Sequence, residues 1–158
     1  MAETSYKIIE TVQLPHTKIE LRDDGIIQFF YGDHVQYTMI EAKELEDAVE
    51  KITKGIVHKS LRIAGNFSNI DLEVMKYLSR GRGTLYTLAD SFVIHSFAQK
   101  ILANFYLRIN KPILPTKFFN KVSEADAWLK SLNNQKLEVA HAHKILKLNK
   151  QKNSKTTL

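Results

Sequence analysis

The chain has 158 residues, 44% of them hydrophobic and 25% charged, and it contains no cysteine. That length suits one domain with a single sizeable core, and the composition is that of a globular protein rather than a disordered one. Without cysteine, disulfides, thiolate nucleophiles and cysteine-ligated zinc are excluded. The net charge is +6, yet residues 136–158 carry +5 of it, as six lysines against Glu138. The body is therefore close to neutral, and the basicity belongs to a tail that can touch phosphates only in a non-specific, salt-sensitive way.

The start carries Glu3 and no apolar run, which is not a signal-peptide pattern. No stretch approaches the ~20 apolar residues that cross a bilayer. The expected location is cytoplasmic.

Residues 6–13 and 18–22 read as strands around Leu14-Pro15-His16, and 18–22 alternates polar with apolar. Asp23-Asp24-Gly25 supplies the Asp-Gly step of a tight hairpin turn. Residues 26–31, almost wholly apolar, suit a strand covered on both faces. Thr38-x-x-Glu41 is a capping box, and Ala42, Leu45, Ala48, Val49 and Ile52 form the buried stripe of the helix it opens, which Gly55 stops.

The alternation then repeats. Residues 61–64 read as a short strand, and Ser68-x-x-Asp71 caps a helix through Val74, Met75 and Leu78, broken at Gly81-Arg82-Gly83. Residues 87–94 form the next strand. Ser96-x-x-Gln99 caps a helix with Ala98, Ile101, Leu102, Phe105 and Ile109 as its apolar positions, and Pro112 ends it. Residues 116–119 make a last strand. Ser123-x-x-Asp126 opens a helix that is expected to bury Ala125, Trp128, Leu129 and Leu132. An N-terminal β-hairpin followed by four βα units predicts an α/β fold with a mostly parallel mixed sheet. The domain is expected to span 1–135, with 136–158 as a basic tail, partly helical or disordered.

This order resembles the STAS-type, SpoIIAA-like fold of anti-sigma-factor antagonists. The residues are similar to uncharacterised bacterial proteins described as STAS/CRAL-TRIO-like domains. The resemblance rests on Leu21-Arg22-Asp23-Asp24-Gly25-Ile26-Ile27, on Ala89-x-x-Phe92-Val93-Ile94-x-Ser96, on 103–112, and on the run from Pro115 through Phe119 to Trp128-Leu129. It covers about residues 15–130 and implies a fold more firmly than an activity. In those antagonists an Asp-Ser pair opens the helix after the central strand, and its serine is phosphorylated. Here Asp71 is followed by Leu72, so the switch does not carry over.

The candidate chemistry is sparse. Gly81-Arg82-Gly83, with Arg80, is the only glycine-dense loop and offers Arg80 and Arg82 to an anion, but it follows a helix where a phosphate loop precedes one. His95 and Ser96 point to opposite sides of a strand end, and His141 and His143 diverge on a helix. Asp23 and Asp24 are turn formers. Arg108 and Lys111 complement the negative end of the third helix, beside Tyr106, Asn104 and Asn110. No catalytic grouping, cofactor or metal set results, so an enzyme is not expected.

In α/β sheets ligands meet the carboxyl ends of the strands, here residues 32–38, 65–70, 95–96 and 120–123. Asn66, Ser68, Asn69 and Asp71 are the expected binding residues there. The leading expectation is a non-catalytic binding or regulatory module that engages a protein partner or its own copy. The alternative is a domain for a small molecule or lipid with an apolar cavity. An enclosed apolar cavity separates the second from the first.

Overall fold

The computed structural model describes residues 5–155, without the side chains of Ile109 and Asn110. Expectations that fall on Met1 to Thr4, on those two side chains or on residues 156–158 lie outside the described residues.

Strands β1 (Ile8–Gln13), β2 (Thr17–Arg22) and β3 (Ile26–Tyr31) form an antiparallel meander. Gly25 stands at φ +81° in the β2–β3 turn, a conformation without steric cost only for glycine. After β3 the chain makes a two-residue strand β4 (Gln36–Tyr37) and helix α1 (Met39–Thr53). The Thr38–Glu41 capping box forms in full, satisfying donors at both the cap and the first turn.

Next come β5 (His58–Ile63), the short β6 (Asn69–Ile70), α2 (Leu72–Leu78) and a 3₁₀ turn (Arg82–Tyr86). They are followed by β7 (Thr87–Val93), α3 (Phe97–Phe105) with a π-helical turn (Tyr106–Asn110), β8 (Thr116–Phe119), α4 (Val122–Ser131) and α5 (Asn134–Lys155). The main sheet has six strands in the order β1-β2-β3-β5-β7-β8. Strands β3, β5, β7 and β8 are parallel, each followed by one of α1 to α4. The α/β class and the mostly parallel mixed sheet stand as predicted.

Side chains alternate across this sheet, and each set meets different helices. Ile19, Leu21, Ile27 and Phe29 pack under α1 through Leu45, Ala48, Val49 and Ile52. On the other face Ile26, Leu61, Ala89 and Val93 close against Ala125 and Leu129 of α4. The indole of Trp128, expected in the core, is only half-buried against Phe119, and Leu129 anchors α4 instead.

Several local expectations shift. Ser123 lies inside α4, and the N-cap position falls to Lys121, whose side chain makes no cap bond. The expected box fails because Asp126 is drawn into ion pairs with Arg22 and Lys130. Nor does Ser68 cap α2. Asn69 and Ile70 are held in β6, which pairs with β4 and delays the helix to Leu72. In α3 the buried positions are Gln99 and Ala103, whereas Ile101 and Phe105 face outward. Gln99 turns the helix, because its side chain donates to the carbonyls of Gly65 and Ser68 and accepts from the amide of His95.

The segment read as a basic tail is helical through Lys155, and its first half is docked. His141 is buried against the carbonyl of Thr84, Lys144 donates to the carbonyl of Ile113, and Leu137 joins the α4 core. Among the described residues, no helix is long and apolar enough to cross a membrane.

Candidate functional site

Where α1 leaves the sheet toward β5, β7 and β8, the face that α1 covers is not filled. A partly open cavity of about 180 Å³ lies between these strands and helices α1, α2 and α3. Its cause is local. Ala42, Ala64 and Ala103 point into it where larger side chains would fill it, and α2 is a seven-residue helix that buries only Val74. Leu45, Val49, Val74, Leu102 and Phe118 add apolar wall. An apolar hole of about 150 Å³ holds benzene, so this one has room for a ring with a substituent.

A polar cluster sits on the sheet side. Arg62 of β5 and Asp90 of β7, on neighbouring parallel strands, are joined by Nε donating to Oδ1 at 2.8 Å. A second donation goes from Arg62 Nη1 to the Tyr31 hydroxyl at 2.9 Å. The guanidinium lies over the Phe29 ring at 4.4 Å and near that of Phe92 at 5.8 Å. Burial opposes its charge, but Asp90 and Tyr31 outweigh that and hold the guanidinium above its ordinary pKa. Arg62 and Asp90 keep 17% and 16% of their side-chain surface accessible, and both line the cavity.

Aromatic rings surround the pair. Phe92 and Phe118 stack at 4.9 Å, and Tyr106 meets Phe118 edge-on at 6.3 Å. Tyr37 stands edge-on to Tyr31 at 5.1 Å. Its hydroxyl donates to the carbonyl of His16 and accepts from the amide of Gly32, and burial pushes its phenol upward.

Glu46 of α1 borders the cavity at the α2 end. It is 2% exposed, and its Oε1 has no partner among the described residues. Its Oε2 accepts from the Tyr77 hydroxyl at 2.8 Å and lies 3.6 Å from Arg82 Nε. Gly81 makes this possible, since a Cβ there would stand 2.2 Å from Oε1.

The residues expected to bind divide into two groups. Ser68 and Asn69 line the cavity, with the Ser68 hydroxyl donating to the carbonyl of Gly65. Asn66 is at an exposed loop tip, its amide on Asp33, and Asp71 is exposed with its carboxylate on Gln36. Arg82, offered to an anion, is spent on carboxylates of α1: Asp47 at 2.7 Å, Glu50 at 3.2 Å and Glu46. Arg80 is exposed, and its side chain makes no ion pair among the described residues. Ser96 does cap α3, accepting from the amide of Gln99 at 3.1 Å, while His95 is exposed. His143 is exposed, apart from the buried His141.

The Arg62–Asp90 pair escaped the sequence reading. Its signal was present: a charged residue in each of two central strands whose sheet is covered on both faces must find a partner.

A second feature lies at the carboxyl edge of the strands. Residues 32–38 and 65–71 are laced together by the β4–β6 pair and by the His34 amide on the carbonyl of Asn66. A Cβ on Gly65 would stand 2.0 Å from the carbonyl oxygen of Gly32, so only glycine allows this approach. At the tip, Phe67 and His34 stack at 5.1 Å, both at φ 56°. A bulky residue in that region is strained. Phe67 and Phe97, the first residue of α3, are each 78% exposed.

The chain belongs to the family described as Domain of unknown function (DUF7793), whose model matches residues 19–133. No curated protein and no solved structure matches it. The family match ends one residue before α5 begins.

Proposed function

We propose that this domain is a non-catalytic binding module whose ligand is a small, largely apolar molecule seated between the sheet and α1 to α3. The single observation that carries the reading is the cavity of about 180 Å³, apolar on most of its wall and polar at the Arg62–Asp90 pair. Apolar walls supply affinity and a few fixed polar groups supply orientation. The volume suits one ring or a short chain and is too small for a long-chain lipid. Arg62, Asp90 and Tyr31 are bonded to one another rather than set as nucleophile and base, which supports binding without catalysis.

The test is titration of the protein with toluene, followed by NMR chemical shifts, alongside an Ala103→Leu variant that fills the hole. Toluene is expected to shift signals from α2, α3 and β7 in the unaltered protein and to lose at least tenfold in affinity in the variant. Absence of any saturable shift with toluene and with every other one-ring probe, or binding indifferent to the filling, sinks the proposal.

A second reading, a docking surface for a protein partner, is favoured by the exposed, strained Phe67 and by Phe97. We read the architecture itself as STAS-like, on the hairpin followed by four βα units, and the module as cytoplasmic and bacterial, on that resemblance.

A further inference from the structure

We infer that the ligand is a neutral, flat molecule whose polar edge carries a hydrogen-bond donor beside an acceptor, as a lactam or other cyclic amide does. The inference rests on the cavity being a ligand site and names the chemistry of its occupant.

Arg62 has five N–H donors in one plane. Nε is used on Asp90 Oδ1 and Nη1 on Tyr31, and Nη2 has no partner among the described residues. The contact with Asp90 is single, so Oδ2 likewise has no protein donor among the described residues. Neither atom is among the sealed, unpartnered ones, and both side chains line the cavity. The ion pair therefore offers the cavity a donor and an acceptor side by side. A guest with a carbonyl next to an N–H answers both at once: its carbonyl accepts from Arg62 Nη2, and its N–H donates to Asp90 Oδ2.

Charge selects against ions. Arg62 is the one base among the described lining residues, and Asp90 already neutralises it; the second lining acid, Glu46, has Arg82 at 3.6 Å outside the lining. A carboxylate guest would meet two acids and a spoken-for base, and an ammonium guest would face the guanidinium. In a site of low dielectric either ion also loses its hydration. Shape selects for flatness, because the stacked Phe92 and Phe118 rings and the edge-on Tyr106 present planar walls beside the pair. Such a built polar edge discriminates strongly, since a guest without matching groups leaves buried atoms unpaired.

The experiment is a titration of the full chain, by calorimetry and NMR, with four probes of one-ring size: 2-pyridone, toluene, benzoate and benzylamine. 2-Pyridone is expected to bind at least tenfold more tightly than each of the others. A variant carrying Arg62→Met and Asp90→Leu is expected to lose at least tenfold for 2-pyridone and to keep its affinity for toluene. Toluene binding as well as 2-pyridone overturns the polar-edge inference and leaves the cavity as a ligand site. Benzoate or benzylamine binding best overturns neutrality and therefore the inference. If none of the four binds, both the inference and the reading beneath it fall. Should the double variant not fold, the Arg62 Nε–H signal of the unaltered protein decides: 2-pyridone is expected to move it at saturation and toluene to leave it in place, and equal responses overturn the inference.

Discussion

Strands β5 and β7 serve two faces that could hardly be packed more differently. Leu61, Ala89 and Val93 point one way and are closed under Ala125 and Leu129. Their immediate neighbours Arg62, Asp90 and Phe92 point the other way, into a cavity. The closed face ties its polar groups into bonded networks. Arg22, nearly inaccessible, is paired with Asp24 and Asp126 and lies 3.5 Å from the Tyr6 ring, and Lys59 donates to the carbonyls of Leu129 and Leu132 at the C-terminal end of α4. The cavity face leaves hydrogen-bonding capacity unused. Over β5 and β7, one side of the sheet is therefore closed, and the other is left short of packing beside the α1 core.

The largest expected effect tests that contrast directly. Leu129→Ala, at a fully buried position, should cost about 2–5 kcal/mol in urea unfolding. Leu102→Ala, beside space that already exists, should cost less than half as much as Leu129→Ala. Equal losses would mean the two faces are packed alike. Enlargement should reverse the order: Ala125→Leu is expected to cost about 1–3 kcal/mol by overpacking, and Ala103→Leu to leave the thermal midpoint unchanged or higher.

The closed face should also carry an acid-sensitive part of the stability. Burial opposes ionisation of Asp126, yet hydrogen bonds from Lys130 and Arg22 outweigh it and hold the carboxyl below its ordinary value. A carboxylate depressed in the folded state adds stability above the unfolded pKa, near 4, and loses it as pH falls through the folded value. Asp126→Asn should therefore cost about 2 kcal/mol at pH 7 and progressively less below pH 4. A pH-independent cost would assign Asp126 a role in shape alone. The smallest effect belongs to the loop tip, where Phe67→Gly should gain up to about 1 kcal/mol by relieving the left-handed strain. A loss there would mean that the Phe67–His34 stack outweighs the strain.

Much of the fold was legible because period and turn chemistry are local. The Asp-Gly turn, the Thr38 box and the four βα units all follow from residues a few positions apart. What escaped depends on distant partners. Strands β4 and β6 have two residues each, too few for any period, and exist only because their loops meet. The box at Ser123 was correct as a pattern and was overridden by Arg22, 104 residues away from Asp126 in the chain. Gln99 read as a cap member and became the buried anchor of α3. The cavity arises from three alanines on different elements, and no single segment carries its signature.

The lacing of residues 32–38 to 65–71 bears on how the protein breathes. Each connection alone would be a surface loop free to open by itself. Because the amides of His34 and Asn69 are held by carbonyls of the opposite loop, freeing either one requires both loops to part. In hydrogen exchange these amides should open as one unit. Gln99 binds the same unit to α3 through the carbonyls of Gly65 and Ser68. The starts of α1, α2 and α3 are thus geared together, and a shift in any one of them is felt by all three.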